Sequence, residues 1–330
     1  MTAAAPLRIL LSARAALRLS DAVAAALGGA PFELVIAQQA APGADADLAF
    51  MTRDVTGAST KHEVQPATQH FHDLLRQAPA LRWVHTHSAG ADRPVFVELI
   101  GRGVAVTTSS GANAAVVAQT AVAGVLALAR RFPQLLAAQR ERRWAPPGAA
   151  APRDLSGQTA VIVGWGPVGR TIAAMLAAAG LQCIAVRRSA IPAADGFETF
   201  GYDDLHRILP RADWLLLACP LTQRTRGLID AAALRQLPPG AHLVNVARGE
   251  VLVQADLIAA LQAGVLAGAY LDVFEHEPLG SDSPLWMLDN VIVTPHSAGH
   301  SDGNEPRVDA MFLANLAHWL RGEPLASLAG

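Results

Sequence analysis

The sequence predicts an α/β protein carrying two doubly wound parallel sheets, and three observations carry that prediction. Short apolar runs bounded by turn residues alternate with helical stretches along most of the chain. A Pro- and Gly-rich connector, WAPPGAAAPRDLSG at 144–157, divides the alternation into two series. One run leads straight into glycines in GxGxxG spacing and then into a helix. Such alternation puts helices on both faces of a parallel sheet, and 330 residues are enough for two domains of this kind.

The first series opens with the strand LRILLSA at 7–13. SDAVAAALGG follows, with Ser20 as cap and glycine as stop, and predicts a helix over 20–28. FELVIA, DADLAFMT, the helical TQHFHDLLRQ and the strand LRWVHTHSAG complete the series. AAVVAQTAVAGVLALA at 114–129 contains Gln119 and Thr120 and is shorter than a bilayer span, so it reads as a buried helix. The second series holds six apolar strands: TAVIVGWG, LQCIAVRRS, DWLLLACP, AHLVNVAR, LAGAYLDVF and NVIVTPH. The tail EPRVDAMFLANLAHWL at 305–320 is an amphipathic helix that stops at Gly322 and Pro324.

With 52% apolar and 16% charged residues the chain is globular, and a formal charge of -2 gives no general attraction to nucleic acid or anionic membrane. Cys183 and Cys219 sit in apolar strands without a CxxC pattern, as expected of reduced thiols in a cytoplasmic protein. Arg8, Arg14 and Arg18 raise the thought of a targeting peptide, but LRILLSA is too short for a signal core and Arg14 interrupts it. The HxH pairs His70/His72 and His85/His87 lack carboxylate or cysteine partners at ligand spacing, and no metal is expected.

In VIVGWGPVGRTIAAML, Gly164 permits a tight turn, Gly166 lets backbone approach a pyrophosphate, and Gly169 lets the helix pack on the strand. Pro167 and Val168 open that helix, whose free N–H groups and positive dipole end suit phosphates. This loop alone fits dehydrogenases, flavoproteins and methyltransferases equally. About 20 residues on, where an acid usually meets the adenosine ribose, stand Arg187 and Arg188. Guanidinium forks suit a 2′-phosphate, so NADP(H) is preferred, with NAD(H) left open.

Three stretches bear on the reaction: NVARGEVL at 245–252, LDVFEHEPL at 271–279 and NVIVTPHSAG at 290–299. Their polar residues follow apolar strands, at the carboxyl edge where open α/β sheets bind ligands. An arginine, a glutamate and a histidine converging there would supply an anion clamp and an acid near neutrality with its partner, which suits a 2-oxo acid.

From about Leu81 to Leu325 these motifs, their order, the CPLT segment at 219–222 and the closing GEPL resemble the D-isomer-specific 2-hydroxyacid dehydrogenases. The resemblance implies two Rossmann- or flavodoxin-like domains and usually a homodimer. The substrate domain would be discontinuous, 1–112 with 297–330, around a dinucleotide-binding domain at 113–296. It assigns catalysis to Arg248, Glu277 and His296, Glu277 being chosen over Glu275 because the family's carboxylate precedes proline. Arg248 would bind the substrate carboxylate and polarise the 2-oxo group, His296 would donate the proton, and Glu277 would hold the imidazole. Asp272 would meet the nicotinamide carboxamide, and Cys219, Pro220 and Ala247 would line the cofactor. Backbone amides of Ser88, Ala89 and Gly90 would take the carboxylate, and Arg53, just past AFMT, is a further candidate for the same ligand. Gln119 departs from the family, which commonly has Glu there.

The expected function is therefore NAD(P)H-dependent reduction of a small 2-oxo acid such as glyoxylate or hydroxypyruvate, and the reverse oxidation. Two rivals share the fold: a dinucleotide-sensing, corepressor-like interaction protein, and a formate- or phosphite-type dehydrogenase.

Overall fold

The computed structural model describes residues 5–146, 151–191 and 195–329. The chain divides into two compact units, Met1–Asn113 with Ser301–Gly330, and Ala114–His300. Residues 147–150 of the connector lie outside the described residues.

The first unit is built, among the described residues, on five parallel strands: β1 (Leu7–Leu11), β2 (Phe32–Ile36), β3 (Leu48–Met51), β4 (Trp83–Thr86) and β5 (Ala105–Thr108), in the order β2-β1-β3-β4-β5. This is the flavodoxin-type doubly wound order, with its reversal between β1 and β3. β3 and β4 are buried at every position, as central parallel strands are. The strand β1 is followed by a helix over Ala13–Leu27, not 20–28. Ser12 is the cap: its hydroxyl accepts the Ala15 N–H at 3.0 Å. The buried stripe Ala15, Leu19, Val23, Leu27 runs past Ser20 without interruption, so Ser20 lies inside the helix. Gly28, in the left-handed region at φ 57, ends it. The C-terminal helix Asn304–Leu320 belongs to the core of this unit. Its Phe312 stacks on Phe50 at 4.4 Å and on Trp83 at 5.6 Å between ring centres, and Asp309 accepts two hydrogen bonds from Arg18.

The second unit has, among the described residues, seven parallel strands: β6 (Thr159–Val163), β7 (Gln182–Arg187), β8 (Glu198–Gly201), β9 (Trp214–Leu217), β10 (His242–Asn245), β11 (Gly268–Leu271) and β12 (Val291–Val293). Their order is β12-β11-β10-β9-β6-β7-β8. The sequence pointed to six of them. The seventh, β8, reads ETFG and pairs with β7 from Ile184↔Glu198 to Arg187↔Gly201. Short, partly polar edge strands carry little periodic signal. The sheet reverses between β6 and β9, which puts the carboxyl end of β6 at the switch point. The buried helix Ala114–Ala129 packs on this sheet, where Gly124 meets Tyr270: a Cβ at 124 would lie 2.5 Å from Tyr270 Cγ. Among the described residues no single helix is long and apolar enough to cross a membrane.

Candidate active site

At the switch point of the second unit, two of the three glycines in the loop after β6 have a steric reason. Gly164 has φ 110, and a Cβ there would collide with the backbone of Ala218 and Cys219. A Cβ on Gly169 would run into the Gly164 carbonyl. Gly166 differs, because a Cβ there would meet nothing within 4 Å. It N-caps the helix Pro167–Ala178 without a side-chain cap, so the first-turn N–H groups have no side-chain acceptor at the cap. Open space before such a helix end fits a dinucleotide pyrophosphate. Val168 packs against the core beneath, and Pro167 is exposed. Cys219 is buried and its thiol is pushed up to about 12 by that burial, while Pro220 and buried Ala247 follow β9 and β10 at the same edge.

Arg187 is the last residue of β7, half-buried, and Arg188 beyond it is exposed. Beside them, Tyr202 follows β8. Burial pushes its phenol up to about 12, against an opposing pull from Arg224 and Arg188. The Arg224 guanidinium lies over the Tyr202 ring at 5.5 Å. The edge of β7 and β8 thus carries Arg187, Arg188 and Arg224 about an aromatic face, with Asp203 accepting from Arg224 Nη2 at 2.6 Å.

The three proton- and anion-handling side chains come from loops after β10, β11 and β12. Asn245 closes the first: its Oδ1 accepts the Ala247 N–H at 3.0 Å and its Nδ2 donates to Arg248 O at 3.1 Å. Arg248 Nη1 donates to Ala247 O at 2.8 Å. A Cβ on the next residue, Gly249, would collide with the Phe274 carbonyl and Glu275 N, so the first two loops pack backbone to backbone. Glu275 is turned to Gln254, whose N–H it accepts at 2.9 Å. Glu277 instead accepts the Phe274 N–H at 3.0 Å and lies 2.8 Å from His296 Nδ1. Burial alone would raise the Glu277 pKa, but the His296 hydrogen bond and charge, the Phe274 N–H and the Arg248 charge outweigh it and hold the carboxyl below its ordinary value. A carboxylate only accepts, so His296 Nδ1 carries the proton of this bond and Nε2 is the nitrogen left for chemistry.

His296 stands in the left-handed region at φ 50, unusual for a side chain with a Cβ. Its N–H donates to Asp272 O at 2.8 Å. The Asp272 carboxylate accepts from Thr294 Oγ1 at 2.7 Å, from Ser297 N at 2.8 Å and from Ala298 N at 3.0 Å. Burial raises the Asp272 pKa, and these hydrogen bonds work against that rise.

In the first unit, Arg53 and the Ser88–Gly90 loop follow β3 and β4 and share one carboxyl edge. Ser88 Oγ donates to Gly90 O at 2.8 Å, which tightens the loop, and Ala89 is exposed. His87 is pushed down to about 3 by burial, then by the charges of Arg53 and Arg93, so Arg53 lies near this loop. His85 is fully buried, bonded to Thr107 and Ser109, and is a core histidine. Among the described residues no group of three His, Cys, Asp or Glu could hold a metal ion.

The structure therefore brings together Arg248, Glu277, His296 and Asp272. It also shows supporting residues that sequence reasoning missed: Asn245, Gly249, Tyr270 and Thr294. The asparagine three residues before Arg248 was a readable turn signal. The other three depend on tertiary contacts.

Comparison with known proteins shows the family. The family described as "D-isomer specific 2-hydroxyacid dehydrogenase, NAD binding domain" matches residues 122–298. A glyoxylate reductase of Korarchaeum cryptofilum is 35% identical over 257 residues, 76% of this chain and 76% of that protein. A D-3-phosphoglycerate dehydrogenase of Mycobacterium bovis is 36% identical over 263 residues, 79% of this chain but 49% of the relative. The crystal structure of a D-isomer specific 2-hydroxyacid dehydrogenase from Xanthobacter autotrophicus Py2, in complex with NADPH and MES, superposes with a TM-score of 0.77 at 30% identity, covering 99% of this chain and 98% of that one.

Proposed function

Since the chain belongs to the D-isomer specific 2-hydroxyacid dehydrogenase family, it is an NAD(P)-dependent oxidoreductase acting on the CH–OH group of 2-hydroxy acids, and we propose that it reduces a small 2-oxo acid of the glyoxylate or hydroxypyruvate kind to the D-2-hydroxy acid, and catalyses the reverse, preferring NADP(H) to NAD(H). The observation that carries this reading is the 2.8 Å pair of His296 Nδ1 and Glu277 Oε2, with Arg248 near enough to act on Glu277. The dinucleotide, when bound, supplies hydride to C2 of the substrate.

The remaining work falls to the chain. Arg248 engages the carboxylate and polarises the 2-oxo oxygen with its two-pronged guanidinium. His296 donates from Nε2 to that oxygen, and Glu277 orients the ring and stabilises its cation. A positioned donor of this kind contributes roughly 100- to 10,000-fold in rate. Gly164, Gly166, Pro167, Val168 and Gly169 hold the pyrophosphate. Asp272, Cys219, Pro220 and Ala247 border the nicotinamide and adenosine. Ser88, Ala89, Gly90 and Arg53 give the first unit an anion-binding element for the substrate carboxylate.

The preference for NADP(H) rests on Arg187 and Arg188, reinforced by Arg224 held over Tyr202, and the Xanthobacter relative contains NADPH. The small substrate is supported by the likeness to glyoxylate reductase. We place the enzyme in the cytoplasm because Cys183 and Cys219 are unpaired, buried thiols. A homodimer is supported by exposed apolar side chains on the second unit: Phe132, Leu136, Trp144 at 96% exposure, Trp286 and Met287 at 84%. Gln134 donates to Asp289 O at 2.8 Å and so joins the two stretches that carry them. The small net charge supports neither nucleic acid nor membrane as partner.

The test is a crossed kinetic panel of NADPH and NADH against glyoxylate, hydroxypyruvate, pyruvate and bulkier 2-oxo acids, with formate and phosphite assayed against NADP+. Highest kcat/KM is expected for NADPH with the two-carbon or three-carbon acids. Cofactor binding without turnover of any 2-oxo acid would overturn the reading in favour of a sensor, and turnover of formate or phosphite alone would overturn it in favour of that chemistry.

A further inference from the structure

The turn that presents His296 is held from behind by side chains outside the catalytic set. Tyr270, 3% exposed at the third position of β11, places its hydroxyl 2.7 Å from Thr294 Oγ1. Thr294 donates its one hydroxyl hydrogen to Asp272 Oδ1 at 2.7 Å, so the phenol must be the donor to Thr294. The chain of donors thus runs from Tyr270 to Thr294 to the Asp272 carboxylate. That carboxylate also gathers the Ser297 and Ala298 N–H groups, the two residues after His296. Asp272 grips both ends of the turn, since its own carbonyl takes the His296 N–H at 2.8 Å.

A non-glycine residue at φ 50 persists only when its surroundings over-determine it. Here the determining contacts are the hydrogen bonds to Asp272, and Asp272 is oriented by Thr294. The buried helix Ala114–Ala129 supports the same assembly twice. Gly124 makes the room that the Tyr270 ring occupies, and Thr120 Oγ1 shares its hydrogen between Val116 O at 3.0 Å and Ala298 O at 3.1 Å.

We propose that Tyr270 and Thr294 are positioning residues for the reaction: through Asp272 they fix the left-handed turn at His296 and so aim its imidazole, paired with Glu277, at the substrate oxygen. This rests on the assignment of His296 as the proton donor. Neither side chain touches the reacting atoms. Their loss leaves the acid present and misaimed, which costs turnover and leaves cofactor binding in place.

The experiment compares Tyr270→Phe, Thr294→Val, Thr294→Ser and His296→Ala by steady-state kinetics, NADPH binding, thermal unfolding and the solvent deuterium isotope effect on kcat. Tyr270→Phe retains the ring against Gly124, and Thr294→Ser retains the relay. The expected result is a kcat lowered about 10- to 100-fold in Thr294→Val and about 3- to 10-fold in Tyr270→Phe, bounded by the full value of a general acid. KM for NADPH stays within about twofold, the isotope effect rises, and Thr294→Ser recovers most of the rate. If Thr294→Val and Tyr270→Phe match the parent while His296→Ala is inactive, the positioning proposal fails and the acid assignment stands. If the losses in kcat only follow losses in unfolding temperature, or if serine does not rescue, the contacts are packing and the proposal fails. Full turnover by His296→Ala overturns the acid assignment and this proposal together.

Discussion

Glu277 acts on two partners at once, fixing its own loop through the Phe274 N–H and His296 through Nδ1. Glu277→Gln keeps the shape and the first bond but removes the charge that stabilises a protonated imidazole. The reductase kcat should fall about tenfold, less than the roughly 100- to 10,000-fold worth of a positioned proton donor because the ring is still held in place. Steady-state kinetics of both proteins at neutral pH check this, and an unchanged kcat would refute it. At the other end of the cofactor, Arg187→Ala with Arg188→Ala should raise KM for NADPH about 10- to 100-fold, the worth of lost charge-assisted hydrogen bonds, and change KM for NADH little. Equal shifts for both cofactors would remove the 2′-phosphate from the explanation.

Loops and helix ends turn these side chains into a site, and the glycines separate packing from ligand binding. Gly166→Ala should fold and melt like the parent, because its Cβ meets open space, yet bind NADPH more weakly in a fluorescence titration. Gly249→Ala should do the reverse, since its Cβ would strike the Phe274 carbonyl: overpacking costs about 1–3 kcal/mol in unfolding free energy, and kcat falls as Arg248 is pushed from Glu277. Normal melting of Gly249→Ala would refute the close approach. The long apolar strands and the helices at 114–129 and 305–320 were readable because one strong period ran through each. Strand β8 was not, since ETFG is short and borrows its regularity from β7. Strand β5 was missed for a related reason: AVTT is short and half threonine, and the partners of its buried Thr107, the ring nitrogens of Trp83 and His85, come only with the fold. Ser20 misled because a serine inside a helix looks like a cap until the apolar stripe on both sides is followed. Within the candidate site, Arg248, Glu277 and His296 were singled out by motifs that resemble a known family, each being ordinary by itself, whereas Tyr270 and Thr294 carry no such motif and stand out only when the fold sets their hydroxyls 2.7 Å apart.

At the scale of the whole molecule, four of the described histidines are held neutral by burial: His72 and His242 are pushed down to about 4, and His85 and His87 to about 3. The unfolded chain protonates these groups near pH 6.5. Below that pH it binds more protons than the folded form, so stability falls progressively from about pH 6.5 towards the folded values and is fully present above it. Three of the four lie in the first unit. Hydrogen exchange at pH 5 against pH 7.5 should therefore show the first unit opening before the second, and uniform protection at both pH values would refute it. The helix Asn304–Leu320 has a different consequence, for biosynthesis. Its Phe312 completes the stack on Phe50 and Trp83, and Thr108 N–H and Val106 O bond to Ser327 and Ala329. A ribosome makes those residues only after the whole of the second unit. The second unit is whole once residue 300 has emerged, so the unit whose strands are made earlier is the one that must wait, its aromatic face uncovered, until the helix Asn304–Leu320 follows.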